Sequence, residues 1–421
     1  MRLHDWNHSL DRLPESCDAL VIGAGPAGSA CAKLLADAGW SVVLADQHHF
    51  PREKVCGDGL VPDTLAALDR LRLRETVLAE ARVTSLARCV APSGQWIDVP
   101  GDMAVLPRLQ LDALICGAAI NAGAQMHAPA RFVRPLRDSN ERVIGAHLSD
   151  GQQGRDIRTR WLVLSTGATP AALLAAGMCE RRTPSAMALR AFVRHPTLAQ
   201  KIDGLRFVWH PRIQGGYGWI FPGPNDVFNI GIGILDSHVH LSSEDRSSRK
   251  SRNLRTLFDE FLAIDPLAAQ LMREGESLGE LKGAPLRCDL NGSRWSAPGI
   301  LVAGEAAGTT YAFTGEGIGK AMESGMAAAD SLIAFAQEAP SPQRDARVIE
   351  DYGQRMQALR PRFELYRKAA SLNRYPWMIE LVVWRARHSR RLVSRLSDVL
   401  NERRMPGSLF SWRGMKRLIL G

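Results

Sequence analysis

Three glycines and one acid are the residues of this chain best suited to holding a cofactor. Gly23, Gly25 and Gly28 stand at Gly-x-Gly-x-x-Gly spacing, and Asp46 follows 18 residues after the last of them. Gly23 permits a tight turn, Gly25 lets the backbone approach a pyrophosphate, and Gly28 lets a helix pack closely on a strand. Pro26 and Ala27 lie in the turn itself, where the unpaired N–H groups of a helix start attract an anion. Asp46 is placed to accept hydrogen bonds from an adenosine ribose. Such a set works only if strand, helix and strand carry it, and the sequence supplies them in that order. Residues 19–22 are an apolar run, 29–38 have helical spacing, and 42–45 are a second apolar run that leads into Asp46. This order, more than the glycines alone, points to a dinucleotide site.

Two further stretches hold side chains that can face a substrate. Pro51-Arg-Glu-Lys-Val-Cys-Gly-Asp-Gly-Leu60 mixes proline, glycine and charge, the composition of a surface loop beside a site. Its Cys56 has two readings. It is a thiol whose pKa is lowered by Arg52 and Lys54, as in reactive cysteines, or a small polarizable residue packed under a ring. Tyr217-Gly-Trp-Ile-Phe-Pro222 alternates so that Tyr217, Trp219 and Phe221 share one face. They form either ordinary core or the wall of a pocket for an apolar or planar substrate.

The chain has 421 residues, 45% hydrophobic and 23% charged, enough for two domains sharing a substantial core. No apolar run reaches the roughly 18 residues that span a bilayer, and residues 1–15 contain no apolar signal core. The 7 cysteines are dispersed with no Cys-x-x-Cys pair, a pattern that suits reduced thiols, a cytoplasmic location and no zinc cluster. The net charge of +9 sits in the last part of the chain. Residues 331–421 hold 18 basic against 8 acidic side chains, so the remainder is close to neutral. Within them, 376–400 interleave apolar positions with Arg385, Arg387, Arg390, Arg391 and Arg395. A basic amphipathic helix of this kind can lie on an anionic membrane, receive an acidic carrier protein, or cover the body of the protein with its apolar face. No nucleic-acid reading module accompanies the charge.

The elements between these motifs are legible in outline. Residues 63–81 have helical spacing, 83–99 alternate like strands around a Pro92-Ser-Gly94 turn, and 106–114 start a helix that runs to about 122. Residues 131–147 predict strands around a turn, and 161–168 a strand returning to the nucleotide sheet. Four aromatic and β-branched segments, 187–194, 205–210, 216–221 and 227–235, predict an antiparallel sheet that walls a substrate pocket. Residues 236–252 have the composition of a mobile loop, and 254–271 predict an amphipathic helix interrupted near Asp265-Pro266. Residues 299–328 return to the nucleotide pattern, and the chain reads as helical beyond 340.

Four features in this order carry a family resemblance. They are the dinucleotide unit, the loop at 51–60, Arg108 with Leu111-Asp112, and Gly304-Glu-Ala-Ala-Gly308 with Phe313-Thr-Gly-Glu-Gly317. Together they resemble the FAD-binding flavoproteins of the p-hydroxybenzoate-hydroxylase-like class. Within it the chain looks most like the geranylgeranyl reductase family, over residues 17–336. The loop matches that family's Pro-x-x-Lys-x-Cys-Gly-x-Gly signature, and 217–222 match its Tyr-x-Trp-x-Phe-Pro motif. The resemblance implies an α/β fold. A Rossmann-like FAD-binding domain (15–62, 104–175 and 285–338) is interleaved with an antiparallel-sheet substrate domain (63–103 and 176–284), and a helical C-terminal segment (339–421) follows. It also implies that Arg52, Lys54, Cys56 and Gly57 border the cofactor and that Arg108 contacts its phosphates. Gly304 and Glu305 would hold the ribityl and pyrophosphate part. Gly315, Glu316, Gly317 and Ile318 would run beside the pyrimidine end of the flavin, where helix N–H groups stabilise negative charge developing on reduction. Two departures stand out. Glu305 replaces the Asp usual in the class, and Thr166-Gly167-Ala168-Thr169 stands where the class often has an Asp-Gly pair. NAD(P)H then docks transiently, or electrons arrive from a separate reductase or ferredoxin.

The activity implied is FAD-dependent oxidoreduction: hydride transfer from flavin N5 to a carbon–carbon double bond of an apolar or conjugated substrate, with Cys56 in protonation or redox control. One alternative is a flavin monooxygenase, a hydroxylase before a halogenase, acting through a C4a-hydroperoxide on an aromatic or carrier-bound substrate. The other is a non-catalytic scaffold that binds a lipid or protein, as Rab-escort-type proteins do. Retention of Gly23, Gly25, Gly28, Asp46, Gly304 and Gly317 speaks against the second.

Overall fold

The computed structural model describes residues 6–235 and 253–405. The loop predicted at 236–252 and the last part of the C-terminal segment, 406–421, lie outside them.

The strand Ser16–Ile22 is the axis of the first sheet. Ala19, Leu20 and Val21 are wholly buried, as in a parallel strand covered on both faces. Val42–Ala45 pairs with it in parallel on one side and Gly154–Leu164 on the other, with Ala19 opposite Val42 and Trp161. Gln125–His127 and Ile300–Val302 extend the sheet outward from these neighbours, again in parallel. The predicted pair Arg131–Arg137 and Val143–Ser149 is antiparallel and attaches to Gly154–Leu164. Helix Pro26–Asp37 starts just beyond the tip of Ser16–Ile22 with proline in its first turn, and Ile318–Ala334 packs along it. The two helices meet through small residues. A Cβ on Gly325 would overlap the Ala27 carbonyl oxygen and lie 2.8 Å from its carbon.

The second sheet contains the predicted antiparallel segments. Ala186–Arg194, Val227–Ile234, Gly216–Pro222 and Leu205–Val208 are consecutive neighbours, each antiparallel to the next. Arg82–Val90 joins Leu205–Val208 in parallel and pairs with Trp96–Val105. The short strand Gly59–Leu60, directly after the cysteine loop, pairs with Val105 and Ala104. The cysteine loop is thereby tied to the second sheet at one end and to the nucleotide sheet at the other.

Two helical expectations need correction, and the interruption expected at Asp265-Pro266 is present. Residues 63–81 form two helices, Pro62–Arg70 and Arg74–Glu80. Arg72 takes the left-handed conformation (φ 59°), and Leu73 N–H bonds back to the Leu68 carbonyl, a C-terminal cap that an apolar pattern does not reveal. The interruption at Asp265-Pro266 is a full break between Leu254–Ile264 and Pro266–Glu274, because Asp265 caps the second helix through Ala268 N–H at 2.9 Å. The basic stretch 376–400 is likewise two helices, Pro376–Arg387 and Arg390–Leu400, the second capped by Ser389 Oγ on Leu392 N–H. Ile379, Val383, Ala386 and Leu392 bury their side chains in the cluster that includes Val99, Met103 and Trp219, so this arm does cover the second sheet. Among the described residues, no helix is long and apolar enough to cross a membrane.

Candidate active site

A single groove of about 600 Å³ is lined by both glycine-rich clusters, by the cysteine loop and by the aromatic strand. Gly23, Gly25, Pro26 and Ala27 form one end, and Gly315, Glu316, Gly317 and Ile318 another part of the wall. Gly25 is the glycine that keeps the floor open, because an added Cβ would meet nothing closer than Arg52 Nη2 at 3.4 Å. Gly28 and Gly304 do a different job, behind the wall. A Cβ on Gly28 would overlap the Gly23 carbonyl oxygen and sit 2.5 Å from Ser165 Oγ. Gly304 has φ 68°, and its Cβ would lie 2.6 Å from that of Ala27. The first glycine sets helix against strand, and the second turns Glu305 toward the groove.

Asp46 is held by backbone donors: Ala24 N–H reaches Oδ2 and His48 N–H reaches Oδ1, both at 2.9 Å. Arg52 spans two acids, with Nε 3.8 Å from Asp46 and Nη1 3.1 Å from Asp112. Arg108 makes a bidentate pair with the same fully buried Asp112, at 2.6 and 2.8 Å. Asp112 therefore orients two groove-lining guanidiniums at once. Lys54 and Gly57 also line the groove, and the Phe221 ring lies 3.2 Å from where a Gly57 side chain would begin. Glu305 is on the wall too, its Oε1 accepting from Arg287 N–H and Thr310 Oγ at 3.3 Å each.

Tyr217, Trp219 and Phe221 line the groove side by side, as their alternation predicts. The Tyr217 hydroxyl donates to the Thr314 carbonyl, tying the aromatic strand to the second glycine loop. Trp219 Nε1 donates to Asn229 Oδ1 at 2.9 Å. Asn229 in turn donates from Nδ2 to the Cys56 carbonyl at 2.8 Å and to Asp58 Oδ2 at 2.7 Å. Asp58 Oδ1 accepts from Arg108 N–H at 3.2 Å. Asn229 and Asp58 thus bind the cysteine loop to the aromatic wall. The only sequence signal for this link is that Asn229 is the one polar residue in the strand Val227–Ile234, otherwise apolar or glycine.

Cys56 corrects one expectation. Burial, then the Asp58 carboxylate, push its thiol up, and the opposing cation is Arg108, not Lys54 or Arg52. A raised pKa keeps Sγ protonated at neutral pH. Burial also lifts Asp58 to about 7. At the far wall burial, aided by Asp63 and Glu402 and opposed by Lys320, lifts Glu316 to about 8. This gives a stability prediction with a definite sign. An acid raised from 4.5 to about 8 stabilises the fold fully below 4.5, and that contribution is lost as pH rises toward 8. Glu316→Gln should flatten the fall in thermal midpoint between about pH 5 and pH 9, leaving the contributions of the other raised acids, Asp58 and Asp63. An unchanged slope in the variant counts against this account of the groove.

The chain matches the model of an FAD binding domain over residues 16–217. It is 31% identical over 330 residues to the menaquinone reductase of Mycobacterium tuberculosis, covering 76% of this chain and 77% of that one. The chain belongs to the geranylgeranyl reductase family of FAD-dependent oxidoreductases. A digeranylgeranylglycerophospholipid reductase from Methanopyrus kandleri is 27% identical over 371 residues, 84% of this chain and 90% of that one. A geranylgeranyl bacteriochlorophyll reductase-like protein of Thermoplasma acidophilum shares the fold, with a TM-score of 0.69, 22% identity and 96% of both chains covered. The groove of this reductase-family chain fits FAD on its own terms. Both glycine-rich clusters line it, and Gly25 leaves its floor clear. Among the described residues, Thr166 Oγ1 has no hydrogen-bond partner although it is buried on the groove wall, a polar atom suited to a bound ligand.

Proposed function

We propose that the protein reduces carbon–carbon double bonds of an apolar isoprenoid substrate, with Cys56 as the proton donor. The observation that carries this reading is the aromatic wall of the groove, where Tyr217, Trp219, Phe221, Phe207 and Leu205 give an apolar slot beside a protonated thiol. Such a slot suits a hydrocarbon chain and excludes water from the reacting atoms. The names of the relatives, a quinone reductase and a geranylgeranyl lipid reductase, support the same class of substrate. FAD, when bound and reduced by a two-electron donor, would supply the hydride. The protein's own residues would hold it: Asp46 for the ribose, Arg52 and Arg108 for the phosphates, Glu305 for the ribityl chain, and the N–H groups at Gly317 and Ile318 for the ring. Cys56 Sγ–H delivers a proton to the second carbon and is restored from solvent.

The test is anaerobic. The purified flavoprotein is reduced with dithionite, and a polyprenyl quinone or polyprenyl lipid is added. Reoxidation by substrate alone, with a saturated bond in the product, is the expected result. Reoxidation that requires oxygen, with a hydroxylated product, would instead make the protein a monooxygenase.

The substrate class sets where the enzyme works: a cytoplasmic protein docking on an anionic bilayer that holds the isoprenoid. Helix Pro376–Arg387 buries Ile379 and Val383 inward yet leaves Trp377 61% and Trp384 48% exposed, one face at i and i+7. Arg387, Arg390, Arg391 and Arg395 stand exposed close by in the chain. Tryptophans beside arginines are the composition of a membrane interface. Trp377→Ala with Trp384→Ala should lower sedimentation with phosphatidylglycerol vesicles about tenfold, while leaving the flavin spectrum intact. Undiminished vesicle binding, or capture by an acidic carrier protein in place of vesicles, would refute it.

A further inference from the structure

A second cavity, of about 1080 Å³, has none of the groove-lining residues in its wall. Arg181, Arg287, Arg294 and Arg367 line it, against Glu180 and Asp289. Asp289 is committed, with Oδ2 3.1 Å from Arg181 Nη1 and Oδ1 2.9 Å from Arg287 Nε. Arg287 Nη2 donates to Ser293 Oγ at 3.2 Å, but its Nη1 is buried with no hydrogen-bond partner among the described residues. The Arg287 residue as a whole is only 6% exposed. A buried guanidinium with an idle donor in a cavity of net positive charge is built for an anion.

We infer that this cavity binds the phosphate or diphosphate group of a reactant whose other end reaches the flavin groove. The two spaces are walled by neighbouring residues. Leu286 faces the groove and Arg287 the second cavity, and likewise Thr314 faces the groove while Ala312 faces the cavity. The Arg287 backbone N–H also bonds Glu305 Oε1 at 3.3 Å, so an anion held by Arg287 sits one residue from the groove wall. Two sources carry that chemistry: the pyrophosphate of a nicotinamide dinucleotide donor and the diphosphate of a prenyl substrate. Both rest on the reductase reading above, whereas anion binding itself can be measured without turnover.

The experiment uses the FAD-loaded protein and inorganic pyrophosphate, titrated by calorimetry at low salt. Arg294 and Arg367 are exposed at the rim, so Arg294→Glu with Arg367→Glu should keep the thermal midpoint and flavin content. Pyrophosphate affinity should fall about tenfold or more in that variant, and Arg287→Met should remove binding. Competition of pyrophosphate with NADPH, and slower flavin reduction by NADPH but not by dithionite, assigns the site to the donor. Competition with geranylgeranyl diphosphate, with KM raised for that substrate at unchanged kcat, assigns it to the substrate. No pyrophosphate binding to wild type, or equal binding to the rim variant, overturns the inference, even where the double-bond reduction assay succeeds.

Discussion

Gly325→Ala should yield a protein that loses its flavin and unfolds well below the wild type, although alanine is the better helix former. The reason is the backbone it meets. A Cβ at residue 325 overlaps the Ala27 carbonyl oxygen and lies 2.8 Å from its carbon and 3.0 Å from its Cα. No rotamer change relieves that clash, so the helices Pro26–Asp37 and Ile318–Ala334 must separate. Overpacking of this kind costs about 1–3 kcal/mol and sometimes more. Function suffers further, because Pro26 and Ala27 line one end of the groove and Ile318 and Ala321 another part of the same wall. A shift between these helices misaligns the two ends of a cofactor that must touch both. The control is Gly353→Ala in helix Pro342–Ala369, where a new Cβ meets nothing within 4 Å. That change should raise stability by about 0.5–1 kcal/mol. The readouts are the thermal midpoint and the flavin-to-protein absorbance ratio. A yellow Gly325→Ala protein melting with the wild type would mean that the helices are not locked as described.

The contrast between these two glycines marks how far a sequence can be read. Gly23, Gly25 and Gly28 announce themselves because their spacing is tied to a local turn, and the structure gives each the place that spacing implies. Tyr217, Trp219 and Phe221 are legible for the same reason, since alternation along one strand fixes a shared face. Gly325 is not legible: it is one small residue among several in its helix, and its partner lies almost three hundred positions earlier. Separation along the chain likewise hides the Asn229 bonds to Asp58 and Cys56, and the reach of Arg52 to the Asp112 that Arg108 holds from the preceding helical turn. Electrostatics misled for a related reason. Lys54 and Asp58 are equally near Cys56 along the chain, but the fold sets Asp58 and the sequence-distant Arg108, not Lys54 or Arg52, against its thiol. Helix ends escaped where they depend on one backbone conformation, as at Arg72, or on one capping side chain, as at Ser389.

That reversal at Cys56 has the largest kinetic consequence. A thiolate would be a nucleophile or a charge-transfer partner, whereas a thiol held protonated by burial and by Asp58 is an acid. Cys56→Ala should therefore keep the flavin, its spectrum and its rate of reduction by dithionite, and slow only the reoxidation by substrate. A positioned general acid contributes about 100-fold or more, so a drop of that size in kcat with little change in KM is the expected result. Cys56→Ser retains a proton at the same place but a weaker acid, and should recover part of the loss. The pH profile separates acid from nucleophile. A protonated thiol predicts turnover that is flat through neutral pH and falls only on the alkaline side, while a lowered pKa predicts a rise as the thiolate forms below neutrality. Asn229→Leu adds an independent check. It frees the Cys56 carbonyl and leaves Asp58 and the Trp219 indole short of a partner. The thiol then sits in a loop no longer tied to the aromatic wall, and the loss in kcat should approach that of Cys56→Ala even though Sγ is still present. Full activity in Cys56→Ala, with solvent protons entering the product at the wild-type rate, would return this residue to packing alone and leave water as the acid.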